Sequence, residues 1–442
     1  MLRQCFITLC CVAFISSPLH AEITISDAVK RGLYTNPEFG AIANDRRATD
    51  KELDQAHGLF RPSVDLNGDT GFEFTDDPNT NAGIDGDDDE SLFRYQAGIT
   101  LTQLLFDGFE SQTEVERQRA RVRSAAFRTR ETSEFVGLDI VESYIEVIRQ
   151  RELLNIARQN LTFHLDILGQ IRDAESVGKA TQADIAQVLA RVAQARATEA
   201  SVRQSLRNAE SEYKVETGEL PEDLAFPIVP IDSLSSNLDD SISVSLSKGP
   251  TLRIFASDLD VAEAEANQTN SVFYPQFDLQ LNANTGEDLG GVEGTDTSAS
   301  ALVVANWNLY RGGIDTARRK EFLYRTAIAK EEFAEASRSV EDDVRQTWAA
   351  MITERQRALD FNDQAAANAL VVDAYRDQFD LGRRTLLDVL DSQNELFVSR
   401  SNTIDSEFLE ILAIYRLVTL KGELLNSLNV EPPVEASITD IR

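Results

Sequence analysis

The chain has 442 residues and a formal net charge of −31 at pH 7. Such acidity disfavours nucleic acid backbones and anionic membrane surfaces as partners. All three cysteines (Cys5, Cys10, Cys11) fall in the first eleven residues, so nothing downstream can form a disulfide or a thiolate metal site.

The opening, MLRQCFITLCCVAFISSPLHAEI, holds one arginine, an apolar run from Cys5 to Ile15, and small residues before Glu22. It reads as a secretory signal peptide over residues 1–21, cut after Ala21. Its removal takes the charge to about −32. No later stretch reaches 18 apolar residues, which excludes a transmembrane helix but leaves a β-barrel open.

A helical leg is predicted from Pro37 to about Gly58. Two strands follow, near 62–75 and 93–106. In the first, Val64, Leu66, Gly68, Thr70, Phe72 and Phe74 alternate with Ser63, Asp65, Asn67, Asp69, Gly71 and Glu73. This is the period of a strand that is apolar on one face only, and its length suits a tilted membrane span of about 9 to 11 residues. Aromatics gather near the strand ends, as interfacial girdles do. The segment between the strands, with DGDDDE at 85–90, lacks the spacing of a calcium loop and reads as an exposed acidic loop.

From Phe109 to Glu175 glycine occurs only at 137 and 169, and proline is absent from 79 to 220. A helix of that length would be roughly 100 Å long. A turn at Gly178 leads into Ile185, Val188, Val192, Ala195, Glu199, Val202, Leu206, Ala209 and Tyr213. Their 3-4 spacing marks a coiled-coil seam. The first structural repeat thus spans 22–218, and ELPEDLAFPIVPIDSLSSN begins a Pro-rich linker, 219–239.

Residues 240–430 repeat the plan. NPEF (36–39) corresponds to GPTL (249–252), FRPSVDL (60–66) to FYPQFDL (273–279), and SVGKATQADI (176–185) to DLGRRTLLDV (380–389). Pro37 to Pro62 and Pro250 to Pro275 are both 25 residues, and Gly108 to Gly178 and Gly312 to Gly382 are both 70. Only the piece holding the strands differs in length. Its second copy predicts strands near 275–285 and 297–310. A seam through Ile404, Phe408, Ile411, Tyr415 and Val418 closes the repeat before a tail, 431–442.

Catalytic constellations are thin. After the leader, histidines occur only at 57 and 164, with no paired metal spacing, nucleophile elbow or phosphate loop. No enzyme activity and no cofactor are expected. The second turn, FDLGRRTLLDVLDSQNELF (379–397), instead carries a charge cluster. Asp388 and Asp391 share a helix face, which fits either a solvated surface or a functional one.

The repeats, the NPEF opening and LGRRTLLDVLDSQNELF together resemble the TolC family of outer-membrane efflux and secretion channels, over essentially the whole chain to about Val430. The resemblance implies an α+β membrane protein located in the outer membrane, with a periplasmic helical extension. Three copies would form one twelve-stranded barrel above an α-helical barrel. Four strands per chain cannot close a barrel alone, since single-chain bacterial barrels start at about eight.

It also implies a homotrimer that works with a periplasmic adaptor protein and an inner-membrane ABC or RND-type pump. The adaptor would dock at the turns Val177, Gly178 and Lys179, and Leu381, Gly382 and Arg383. Asp388 and Asp391 would line the entrance, and Arg384 would tie the inner coiled coil to Asp184. A tyrosine–polar link found in the family is replaced here by Phe379 and Ala183. NELF (394–397) is similar to the type I protein-secretion branch, with drug or metal efflux as the alternative. A periplasmic coiled-coil adaptor would share the helices but needs no lipid-length strands.

Overall fold

The computed structural model describes residues 22–77 and 89–438. The leader and most of the acidic loop lie outside them. In chain order the first half contains α1 (Ile25–Thr35), α2 (Pro37–Gly58), β1 (Ser63–Asp76), β2 (Asp89–Phe106), α3 (Glu110–Ser176) and α4 (Gln182–Thr217). The second half contains α5 (Leu238–Lys248), α6 (Pro250–Gln268), β3 (Gln276–Glu287), β4 (Thr295–Asn306), α7 (Ile314–Asp380), α8 (Leu386–Leu420) and the one-turn α9 (Leu424–Ser427). Both long helices have 67 residues. No helix among the described residues is long and apolar enough to cross a membrane.

Several boundaries differ from the sequence reading. Short helices α1 and α5 precede Pro37 and Pro250, because proline suits a first helical turn but cannot continue an incoming helix. Asn36 caps α2 by accepting from the Glu38 N–H at 2.8 Å. Strand β2 begins at Asp89, four residues early, because Asp89 and Glu90 pair with Asp76 and Thr75. Strand β4 ends at Asn306, so Trp307 and Tyr310 lie beyond it.

The strands form one antiparallel sheet in the order β1-β2-β3-β4. Its register gathers the alternation predicted from sequence onto two faces. Val64 opposes Leu101, Leu66 opposes Ile99, and Phe72 opposes Phe93; Leu281 and Ala283 continue that face, and Ala301 and Val303 complete it. Leu66 is 82% exposed and Phe72 84%, so the apolar face is bare in one chain, as a lipid-facing surface would be. The other face carries Asp65, Asp69, Asn282, Asn284 and Ser300.

The described chain divides into two compact units. One comprises residues up to Leu33, Asp139–Val229 and Arg355–Leu412. Here the Tyr144 hydroxyl sits between the carbonyls of Ile23 (2.8 Å) and Ala225 (2.6 Å), tying the N-terminal segment to the linker. Val188, Val192, Ala195, Ala209 and Tyr213 are the buried residues of the predicted α4 seam.

The other unit comprises Tyr34–Leu138, Pro230–Glu354 and Ala413–Arg442, and it holds the sheet. Within it, Arg128 pairs with Asp258 at 2.7 Å and Arg123 with Asp260 at 2.8 Å. The carboxylate of Glu134, 1% exposed, accepts from the N–H groups of Leu424 (2.8 Å) and Leu425 (3.2 Å) and so fixes α9 against α3. Those donors favour the charged form, but burial outweighs them and pushes the carboxyl up to about 7.

Candidate entrance and docking turns

Each helical hairpin of the first unit turns through five residues, 177–181 between α3 and α4 and 381–385 between α7 and α8. Both helices stop in the same way. The Gly178 N–H donates to the Glu175 carbonyl and the Lys179 N–H to the Ala174 carbonyl, both at 2.8 Å; Gly382 to Phe379 and Arg383 to Gln378 repeat the pattern at 2.8 Å. This is the Schellman arrangement, which requires a left-handed residue after the helix. Gly178 at φ +74° and Gly382 at φ +70° supply it.

Both following helices also start in the same way. Thr181 caps α4: its hydroxyl accepts from the Asp184 N–H (3.2 Å), and Asp184 Oδ2 accepts the Thr181 N–H (2.8 Å) and hydroxyl (2.7 Å). Thr385 and Asp388 reproduce the box, with the Thr385 N–H and hydroxyl donating at 3.1 and 2.8 Å. Hydrogen bonds from the Thr181 backbone and side chain lower the Asp184 carboxyl below its usual range. Those from the Thr385 side chain and backbone do the same for Asp388.

Behind the turns lies an apolar plug of Ile167, Leu168, Ile171, Val188, Val192, Leu386, Val389 and Leu390, against which Phe379 and Tyr375 pack. A cleft of about 650 Å³ opens beside it, lined among others by Lys179, Asp184, Phe379, Gly382 and Arg384. Val177 and Leu381, the residues just before the glycines, are 68% and 69% exposed. Ala183 is also exposed.

The expected Arg384–Asp184 tie is not the contact these residues make in the chain. The Arg384 guanidinium lies 4.1 Å from the Tyr375 ring centroid, and its Nε donates to Gln378 Oε1 at 3.0 Å. Asp184 is engaged by its own helix cap. A carboxylate three residues after a capping threonine meets its partner without closing any long loop, so the local contact wins. The two aspartates of the second turn likewise divide: Asp388 completes a cap, while Asp391 pairs with Arg191 of α4 at 2.5 Å.

Arg191 stands beside a residue that sequence reasoning set aside. His164 of α3 is 3% exposed, and its Nδ1 has no hydrogen-bond partner. Burial, helped by the Arg191 charge, pushes its pKa down to about 4. One turn away, Gln393 donates to Asn160 at 3.2 Å. A polar layer therefore crosses the coiled coils just behind the apolar plug. The motif T-x-x-D, present in TQAD and TLLD, could have revealed both caps. Nothing local in the sequence connects Arg191 with Asp391.

A four-stranded sheet with a bare apolar face, joined to paired long-helix hairpins, defines a channel subunit of the outer membrane with a periplasmic helical part. The outer membrane efflux protein family matches residues 29–213 and 241–420, and the chain belongs to it. The outer membrane efflux protein BepC of Brucella suis is 24% identical over 328 residues, 74% of this chain and 72% of that one. The alkaline protease secretion protein AprF of Pseudomonas aeruginosa is 22% identical over 410 residues, 90% and 84% of the two chains. In fold, the open-state MtrE outer membrane channel of Neisseria gonorrhoeae is similar at a TM-score of 0.75, with 16% identity, over 91% of this chain and 89% of that one.

Proposed function

We propose that three copies of this chain form a passive exit duct, completed by a periplasmic adaptor and an inner-membrane pump, and that its cargo is protein exported by a type I system. The observation that carries the duct is the sheet. Its apolar face is exposed, and its outer strands β1 and β4 have backbone groups that hydrocarbon cannot satisfy, so the edges must pair with other copies. Twelve strands close a barrel that four cannot.

The adaptor docks at Val177, Gly178 and Lys179 and at Leu381, Gly382 and Arg383. In this reading each turn offers an exposed apolar residue, a glycine that lets a partner backbone approach, and a cation. Asp388 and Asp391 line the entrance. Support for protein cargo comes from NELF and from the likeness to a protease secretion protein; the likeness to an efflux protein supports drug or metal efflux as the second reading. Outer-membrane fractionation and heat-modifiable migration test the assembly. A soluble periplasmic protein, or one that runs as a monomer without heating, would sink the duct. Loss of a secreted protein, rather than of drug tolerance, on deletion of the gene would decide the cargo.

A further inference from the structure

The connection between β3 and β4 folds back across the sheet instead of rising from it. Its neck is closed by the Asp288 N–H donating to the Gly294 carbonyl at 2.9 Å and the Gly294 N–H donating to Asp288 Oδ1 at 2.8 Å. Beyond the neck, the single 3-10 turn Leu289–Gly291 lies against β2 and β1, so it crosses the sheet away from its own hairpin.

Two contacts fix which face it crosses. The Gly290 N–H donates to Glu73 Oε2 at 3.2 Å. Leu289 sits over Gly286, where a Cβ would come within 2.8 Å of the leucine Cδ1. Gly286 opposes Gln96 and Asp296, and Glu73 lies two residues from Gly71, which opposes Arg94. All of these belong to the polar face. In a barrel whose other face meets lipid, the polar face is the inside.

The geometry points to Asp288–Gly294 as a strap laid inside the outer end of the barrel, where it sets the width of the channel exit and hence the size of what leaves. This rests on the duct reading above. Arg94 builds the seat: its guanidinium donates to Asp69 (2.5 Å), Gln96 (3.1 Å) and Glu73 (3.3 Å), holding Glu73 where Gly290 reaches it. Among the described strand residues of the polar face, Arg94 is the one cation beside Asp65, Asp69, Glu73, Glu90, Asp278 and Asp296. The strap keeps its tight shape through positive φ at Asp288, Gly290, Gly291 and Gly294, which glycine adopts at little cost. Three copies in a trimer would bring three straps to one opening.

The sequence has no cysteine after Cys11, so Glu73→Cys with Gly290→Cys introduces one pair that diamide can join and dithiothreitol can part. Purified trimers are compared in planar bilayers by single-channel conductance and by the size of polyethylene glycol they exclude. The joined form is expected to conduct as wild type, and the parted form more. A chain lacking Leu289–Gly291 is expected to conduct about 1.5-fold more or higher and to admit larger polymers. A pair that does not join in folded trimers, or a deletion with wild-type conductance and polymer cut-off, overturns the strap. Wild-type trimers that insert without conducting overturn the duct instead.

Discussion

The turns at Gly178 and Gly382 have the same backbone and different side-chain partners. Each ends its helix with the same pair of 2.8 Å bonds and restarts the chain with the same threonine–aspartate box. At the first turn the cap uses the only acidic side chain between residues 177 and 192. At the second, Asp388 is used in the same way, which leaves Asp391 to reach Arg191 on the other hairpin, while Arg384 lies on Tyr375. Hydrogen bonds that close a turn depend only on residues within it, so a duplicated sequence keeps them. Charges beyond the cap answer to whatever packs nearby, and the two halves face different neighbours.

The largest expected effect tests the shared part. Gly178→Leu and Gly382→Leu each put a side chain on a left-handed backbone, at a cost of about 1–2 kcal/mol, yet a Cβ at either site meets nothing within 4 Å. Trimers should therefore assemble. Export should be lost in both variants if an adaptor grips both turns, as read by secreted cargo against trimer in outer membranes. Full export from one variant alone would break the equivalence.

That equivalence was legible because its signals are local. Pro37 and Pro250 mark helix starts, Gly178 and Gly382 mark helix ends, and the equal 70-residue spacings predict equal helices. Strand alternation located both faces of the sheet before any register was known. The cross-hairpin contacts were not legible. Arg191 and Asp391 are 200 positions apart, and only the packing of α3, α4 and α8 explains why His164 is buried beside them. The strap escaped for a similar reason: GEDLGGVEGTDTS (286–298) is acidic and glycine-rich, which from sequence reads as an exposed loop, and only Glu73 and Gly286 reveal where it lies.

The next effect probes the polar layer behind the turns. His164 titrates near 4 when folded against an ordinary value of 6.5, so between those values the unfolded chain binds more protons. Stability is thus fully present above about pH 6.5 and falls as pH drops toward 4, by at most roughly 3 kcal/mol per chain. The charge facing His164 from α4 is Arg191, itself paired with Asp391 from α8. Thermal unfolding of His164→Leu trimers should be flatter than wild type across that window. Equal slopes would mean the imidazole is not held neutral there.

Smaller still are the caps. Thr181→Ala and Thr385→Ala should each cost about 1 kcal/mol, seen as faster amide exchange in the first turns of α4 and α8. Similar losses at the two sites would confirm that the boxes are equivalent. Because both partner carboxyls lie below their usual range, each contribution is present above the ordinary value of 3.8 and disappears as pH falls further. A larger loss at Thr385 would show that its box also positions the charges that follow it.

The smallest effect addresses the part that differs. The Arg191–Asp391 pair is half exposed, with side-chain exposures of 29% and 50%, so its coupling should be about 0.2–1 kcal/mol. Arg191→Gln and Asp391→Asn should each lower the unfolding temperature slightly, and the double variant no further than the larger single one. The same cycle read by single-channel conductance tests whether the pair restrains the entrance. If it does, Arg191→Gln conducts more than wild type, the exchanged pair Arg191→Asp with Asp391→Arg returns toward it, and Arg384→Ser, whose partners Tyr375 and Gln378 lie on its own hairpin, changes little. A rise in Arg384→Ser alone would instead place the restraint at a contact between copies of the chain, and would restore the arginine after the glycine to the role its family resemblance implies.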